Sequence, residues 1–386
     1  MDLTGYDIFA GAGGFSLAAR RTGIDIRAAI EFDSHAAATY RANFIEGQKC
    51  APSLFEQDIA SIDWAQVLKT TGLKSRDCDL LLGGPPCQGF SAHRLKGAGV
   101  KDPRNKLLLR YFDCISAVKP RAFVVENVSG MLWPRHSEYL QAFMALAHSS
   151  GYRILGPTVL NARDYGVPQS RKRVFIVGIR NDIKSGCEWP PKPTHFSPDS
   201  REVMEDGRNA WLTAAAVFRK PLKKGDPNAV HMQPSEAMRT VFASTPHNGG
   251  SRHQSCRELS CHRGHDGHKD VYGRIDPDRP GPTMTTACIN PSKGRFVHPT
   301  EDHGISARHA ARFQTFPEDF FLHGGITAAG RQIGNAVPIL LGEAVLGTIA
   351  ACLRLENQRV RSMESRKSQK RLPTKLVARC EILVRS

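Results

Sequence analysis

Asp7-Ile8-Phe9-Ala10-Gly11-Ala12-Gly13-Gly14-Phe15-Ser16 reads as a short apolar strand, a glycine turn and the first residues of a helix. Glycines in such a turn let backbone N–H groups come close to a ligand, and the helix N-terminus favours a negative group. Tight turns also use glycine only for its freedom at positive φ. Ser16 stands where a dinucleotide fingerprint has its third glycine. Outward from this segment, Tyr6–Phe9, Ile26–Ile30, Asp79–Leu82, Ala122–Val125 and Val174–Ile179 read as strands, with helical patterns such as Leu107–Val118 and Glu138–His148 between them. Alternation of this kind predicts an α/β fold, a doubly wound, mostly parallel Rossmann-like sheet with helices on both faces.

From about Lys184 the texture changes, with Pro190, Pro191, Pro193 and Pro198 opening a stretch rich in Gly, Pro, His and Arg. An inserted, irregular or β-rich domain fits that stretch better than a continued α/β repeat. Helical signals return at Ser306–Phe316 and Ala336–Leu353. The predicted organisation is a cofactor and catalytic domain over 1–184, completed by 329–356, an insertion over 185–328, and a basic, mobile tail over 357–386.

The 386 residues are 40% hydrophobic and 23% charged, a globular composition that excludes a disordered polymer, a collagen or a coiled coil. Ala336–Leu353 is apolar but carries Pro338 and Glu343, so a buried helix is expected there rather than a membrane span. Met1–Tyr6 runs straight into a strand, with no basic-then-apolar leader, and the ten cysteines form no dense framework. Reduced thiols and a cytoplasmic location are therefore expected. The net charge of +16 is uneven, because Leu353–Ser386 alone holds ten Lys/Arg against three Asp/Glu. A basic body with a basic tail points to a polyanionic partner.

Two acids stand at strand ends. Glu31, in Ala29-Ile30-Glu31-Phe32-Asp33, occupies the position that binds ribose hydroxyls in doubly wound sheets, and Gln57-Asp58-Ile59 ends a third strand in the same way. A helix N-cap or a solvated loop acid is the plain alternative for each.

The most specific segment is Asp79-Leu80-Leu81-Leu82-Gly83-Gly84-Pro85-Pro86-Cys87-Gln88-Gly89-Phe90-Ser91. An apolar strand ends in a stiff turn that presents Cys87 at the sheet edge where such folds bind ligands. A thiol needs a positive setting to act as a nucleophile at neutral pH, and His93, Arg94, Lys96, Lys101 and Arg104 follow closely. Ala122–Val125 leads into Glu126-Asn127-Val128, whose carboxyl could act as an acid. Gln169-Ser170-Arg171-Lys172-Arg173 brings forked cations suited to a carbonyl oxygen or a phosphate.

In this order the pieces resemble the cytosine carbon-5 DNA methyltransferase family of restriction-modification type. Residues 9–14, 85–91, 126–128 and 169–173 are similar to its cofactor and catalytic motifs. Ala307-Arg308-His309-Ala310-Ala311-Arg312-Phe313-Gln314-Thr315-Phe316-Pro317 and Arg331-Gln332-Ile333-Gly334-Asn335-Ala336-Val337-Pro338 are similar to its two closing motifs. The resemblance covers about residues 5–353 and implies S-adenosyl-L-methionine as cofactor. Phe9, Gly11, Gly13 and Gly14 would contact its adenosine and methionine parts. Glu31 would hold the ribose, Phe32 would pack on the adenine, and Asp58, next to Ile59, would bind the adenine amino group. Leu107, Asn335 and Val337 would complete the pocket.

The resemblance further implies that Cys87 attacks carbon 6 of a flipped cytosine while Glu126 holds a proton on ring nitrogen 3. Arg173, supported by Arg171, would bind the cytosine carbonyl oxygen, with Ser91–Lys101 as a lid. Double-stranded DNA is the implied substrate, with a cognate restriction endonuclease as a functional partner and a monomer as the working form. An RNA cytosine methyltransferase and a catalytically silent DNA-binding relative are the rival readings. In the insertion, Tyr272-Gly273-Arg274, Thr283-Met284-Thr285-Thr286 and Lys293-Gly294-Arg295 are candidate DNA contacts. No metal is expected, because the spacing of His253, Cys256, Cys261, His262, His265 and His268 is not a standard zinc signature.

Overall fold

The computed structural model describes residues 3–85, 106–256 and 270–370. Seven strands form one sheet: β1 (Leu3–Ile8), β2 (Ile24–Ile30), β3 (Ser53–Phe55), β4 (Leu80–Gly83), β5 (Ala122–Val128), β6 (Tyr152–Asn161) and β7 (Lys172–Arg180). Their order is β3-β2-β1-β4-β5-β7-β6. The pairs from β3 to β5 are parallel, whereas β7 runs antiparallel to both β5 and β6. The predicted doubly wound, mostly parallel sheet is present, with one reversed strand. Strand order switches direction between β1 and β4, the crevice where open α/β sheets take ligands.

The strands read as continuous apolar runs because both faces are covered. Leu80 and Leu82, Ala122 and Val124, and Phe175 and Val177 point into one hydrophobic cluster. Their alternates Leu81, Phe123, Val125, Val174 and Ile176 point into the other. Helices α1 (Gly14–Arg21) and α2 (Ser34–Phe44) cover the first face, with Phe15, Tyr40 and Phe44 in its cluster. The second face is covered by α3 (Trp64–Thr71), α4 (Lys106–Val118) and α5 (Ser137–Ser149), which contribute Val67, Tyr111, Ile115 and Phe143.

The 185–328 segment is irregular rather than β-rich among the described residues. It holds the two-residue pair β8 (His195–Phe196) and β9 (Asn209–Ala210), isolated bridges such as Arg274↔Val297, and short helices. Those helices are α6 (Arg201–Met204), α7 (Ala215–Phe218), α8 (Glu236–Ser244) and α9 (Ala307–Phe313). Ile275, Met284, Phe296 and Phe313 share the hydrophobic cluster of the first sheet face.

The chain then returns through α10 (Ile326–Asn335) and α11 (Ile339–Lys370). Leu341, Val345, Leu346, Ile349 and Leu353 bury against the sheet and α1. A Cβ on Gly342 would stand 2.8 Å from Ala18 Cβ, so the two helices cross closely there. The stretch Ile326–Arg366 is apolar and long enough to cross a membrane, but most of its apolar window is buried inside the protein. Helix α11 also extends beyond Leu353, where helical signal was expected to end, and residues 357–370 are helical rather than loose. Its 32 residues span about 48 Å at 1.5 Å per residue. Arg121, at the start of β5, reaches the Leu353 carbonyl, so the basic end of α11 leaves the sheet at the edge opposite the crevice.

Candidate active site

The ends of β1, β2, β4 and β5 meet at the switch point. Phe9 lies at φ 61°, Gly11 at 57° and Gly13 at 92°, so the chain after β1 turns back tightly before α1 begins at Gly14. A Cβ added to Gly11 would meet nothing within 4 Å, leaving open space beside its backbone. One added to Gly14 would stand 2.8 Å from the Val337 carbonyl oxygen. Glycine at 14 thus lets the α10–α11 junction press against the first turn. Val337 is buried there, while Asn335 and the neighbouring Arg331 remain exposed.

Glu31 closes the other side of that turn. Its Oε2 accepts from Gly11 N–H at 2.7 Å, and its Oε1 accepts from Phe32 and Asp33 N–H at 2.9 and 2.7 Å. Burial pushes its carboxyl above the ordinary range, against the pull of those three donors. Phe32 is 74% exposed beside it, presenting an apolar ring to solvent. Asp58 accepts from Ala60 N–H at 2.9 Å as the cap of a short 3₁₀ turn over Ile59–Ser61. Ile59 is buried, and Leu107 is half-buried on α4.

Sequence reading missed Asp7, a buried carboxyl beneath the glycine turn. Ser16 Oγ donates to Asp7 Oδ2 at 2.6 Å and lies 2.8 Å from Tyr40 Oη. Asp7 Oδ1 has no hydrogen-bond partner, and burial pushes this acid up to about 7. The available signal was a carboxylate inside an apolar strand, followed nine residues later by a serine on the next helix.

The Glu126 side of the crevice is organised by the reversed strand. The Arg171–Arg173 cations stand at the start of β7, so in an all-parallel sheet they would sit at the wrong edge. Running antiparallel, β7 sets Arg173 opposite Val128 and next to the carboxyl end of β5. Arg173 Nε is then 2.9 Å from Glu126 Oε1, with both side chains largely buried. Burial pushes the Glu126 carboxyl up, and the charges of Arg173 and Arg171 oppose it only in part. A Cβ on Gly84 would lie 3.1 Å from Glu126 Oε2, so this glycine keeps space open in front of the acid. Asn127 Nδ2 donates to the Pro85 carbonyl at 3.2 Å, tying the root of the Pro-Cys loop to β5. Cys87, the residues expected to activate it, and the Ser91–Lys101 segment lie outside the described residues.

Arg171 differs from its neighbour. Its guanidinium is buried and donates to the carbonyls of Met284, Gly334 and Ala336 at 2.6, 2.7 and 3.1 Å. Its charge reaches Glu126 through space, but its hydrogen bonds hold the insertion and the α10–α11 junction onto β7. Gln169 and Gln314 extend this buried hub. Gln169 accepts from Met284 N–H at 2.7 Å and donates to Gln314 Oε1 at 3.0 Å, and Gln314 donates to the Ile333 carbonyl at 2.6 Å. The start of β7, the α10–α11 junction and the insertion therefore share one polar core.

This geometry corrects three expected DNA contacts. Met284 is buried in the core, and Thr283 Oγ1 donates to the Ser170 carbonyl at 2.7 Å, so that stretch is a strap. Arg274 is fully buried and bonds to the carbonyls of Phe242, Thr245, His298 and Glu301. Arg295 is tied to Asp270 and to the Gly249, Gly250 and Arg274 carbonyls. Lys293 stays exposed. Among the described residues no three His, Cys, Asp or Glu side chains form a metal-binding group, and Cys261, His262, His265 and His268 lie outside them.

Comparison with known proteins shows the family of the chain. The model of the C-5 cytosine-specific DNA methylase family matches residues 3–351. The Type II methyltransferase M.XorII of Xanthomonas oryzae pv. oryzae is 30% identical, over 93% of this chain and 87% of the relative. The Type II methyltransferase M1.HphI of Haemophilus parahaemolyticus is 31% identical, over 89% of this chain and 86% of its own. Among solved structures, an Escherichia coli prophage protein described as a DNA modification methyltransferase superposes with a TM-score of 0.68 at 24% identity, covering 91% of this chain and 99% of its own. The Dnmt2 methyltransferase of S. pombe superposes with a TM-score of 0.56 at 16% identity, covering 91% and 99%. These two likenesses speak to the fold.

Proposed function

The chain belongs to the C-5 cytosine-specific DNA methylase family, and from that premise we propose that it methylates carbon 5 of cytosine in a specific duplex DNA sequence through a covalent Cys87 adduct. The observation that carries this reading is the pairing of a buried, up-shifted Glu126 with Arg173 at the carboxyl edge of the sheet, on β5 and β7, with β5 lying next to the β4 strand that leads to Cys87.

The pocket at β1, β2 and the α10–α11 junction fits S-adenosyl-L-methionine. Open space beside Gly11, the exposed ring of Phe32 and the carboxylate of Glu31 suit a cationic methionine arm, an adenine and a ribose. Phe9, Gly13, Gly14, Asp58, Ile59, Leu107, Asn335 and Val337 would complete it. Bound there, the cofactor supplies an electrophilic methyl group.

Carbon 5 of cytosine is too weak a nucleophile unaided. Attack of the Cys87 thiolate on carbon 6 makes it enamine-like, provided ring nitrogen 3 carries a proton. A carboxyl pushed up by burial holds a proton more readily than an exposed one, and supplying that proton would be the role of Glu126. Arg173 would bind the base's carbonyl oxygen, and Arg171 would position Arg173. The base must leave the stack at a cost of roughly a few kcal/mol, offset by these pocket contacts.

In this reading 1–184 with 329–356 carries cofactor and chemistry, and 185–328 reads the DNA. The Type II names of the relatives support a cognate restriction endonuclease as functional partner, acting on the same DNA. The test is transfer of labelled methyl from S-adenosyl-L-methionine by purified protein to duplex DNA and, in parallel, to structured RNA. Label in 5-methylcytosine of DNA supports the proposal. Label in RNA alone would assign the RNA activity, and binding without transfer would assign a silent relative.

A further inference from the structure

After β7 ends at Arg180 the chain passes over α11 on its way into the insertion. Arg153 of β6 donates to the Ile183 and Ser185 carbonyls at 2.6 and 3.2 Å. Glu356 of α11 accepts from Ser185 N–H at 2.9 Å and from its hydroxyl at 2.8 Å. One turn earlier on the same helix face, Cys352 Sγ lies 3.8 Å from the Ser185 carbonyl oxygen and shares a hydrogen bond with the Cys187 thiol. Both thiols are free; Cys352 is buried and Cys187 is partly exposed. Two sulfurs far apart in sequence are thus held together by contacts on either side of them.

We propose that Cys187 and Cys352 are a modification site, a thiol pair that a peroxide converts to a reversible disulfide bridging the root of the insertion to α11. The electronic setting agrees with the geometry. The hydrogen bond from Cys187, helped by Arg153 and Arg121 and opposed by burial and Glu356, holds the Cys352 thiol below its ordinary value. Burial instead pushes Cys78 and Cys288 up to about 12, which leaves them inert.

The Cys352 thiolate takes one oxygen from hydrogen peroxide, expelling hydroxide and leaving a sulfenic acid. The Cys187 sulfur attacks that sulfur, the S–S bond forms, and the oxygen leaves as water with the Cys187 proton. Overall, two thiols and one peroxide give one disulfide and two waters. A thiol reductant reverses the reaction. The bridge closes a long loop around the whole insertion, so it restrains the unfolded chain strongly.

Full-length protein would be treated with limiting hydrogen peroxide, capped with an alkylating agent, digested and mapped by mass spectrometry. Cys87 is scored on its own peptide. The proposal predicts that the Cys187 and Cys352 peptides become joined before the exposed Cys50 or Cys256 reacts, that dithiothreitol releases them, and that oxidation raises the unfolding temperature by several degrees. Cys187→Ser should abolish both the joined peptide and the rise. Recovery of Cys187 and Cys352 as alkylated monomers while Cys50 and Cys256 oxidise would overturn it, as would an equal temperature rise in Cys187→Ser.

Discussion

Glu126 and Arg173 stand 2.9 Å apart because β7 runs against β5, which brings the beginning of one strand beside the end of the other. Removing the acid while keeping its shape tests its role. Glu126→Gln cannot supply a proton of matched acidity, so single-turnover methyl transfer should fall by roughly 10²–10⁴-fold. Binding of S-adenosyl-L-methionine and DNA should persist, checked by calorimetry and gel shift. Normal turnover would remove Glu126 from the acid role.

Arg171 predicts the opposite pattern from its neighbour. Arg171→Ala leaves the Met284 and Gly334 carbonyls without this donor in a buried site, while the Ala336 carbonyl keeps its bond from Gln314 Nε2. A buried polar group left unpaired costs about 1–3 kcal/mol, so urea denaturation should show a loss of at least about 2 kcal/mol. Gln169→Ala should weaken the same hub by a smaller amount. Arg173→Ala, whose guanidinium lies at the crevice, should lose turnover with a smaller stability change. Equal denaturation midpoints for Arg171→Ala and the parent chain would contradict the hub.

Phe32 gives a cleaner separation of binding from folding. The residue is 74% exposed, so Phe32→Ala should change stability by less than about 0.5 kcal/mol. Loss of a stacked ring, worth about 0.5–1.5 kcal/mol, should still weaken cofactor binding by up to about tenfold. Unchanged affinity in calorimetry would place the adenine elsewhere.

Asp7 carries a pH dependence. Its acid is pushed up to about 7 by burial, so the folded chain holds a proton that the unfolded chain releases near pH 4. The stabilisation is complete below about pH 4 and is lost as pH rises towards 7. Asp7→Asn should flatten that decline, on the order of a few kcal/mol between pH 5 and 8, in urea titrations at each pH. A parent chain equally stable at both pH values would refute the assignment.

Much of this was legible because the chemistry sits at strand ends marked by glycine, proline and charge. The Gly11–Gly14 turn, Glu31 and Glu126 all stand at the carboxyl edge where their motifs pointed. The direction of β7 was not legible, since a strand buried on both faces reads as the same apolar run either way. Strand β6 was hidden by Gly156-Pro157 in its middle, where the register with β7 shifts. The tethering of Arg274 and Arg295 inside the insertion was also invisible, because a guanidinium satisfied by distant carbonyls has no local signature. Helix α11 ran past Leu353 because its apolar stripe ends before its helical residues do.

The most direct test of covalent cytosine methylation is bisulfite sequencing of DNA from a host that lacks cytosine methylation, expressing either this chain or its Cys87→Ser variant. The account predicts protected cytosines in one short sequence context with the parent chain and none with the variant. Protection that survives Cys87→Ser, or none from a soluble parent chain that binds S-adenosyl-L-methionine, would contradict it.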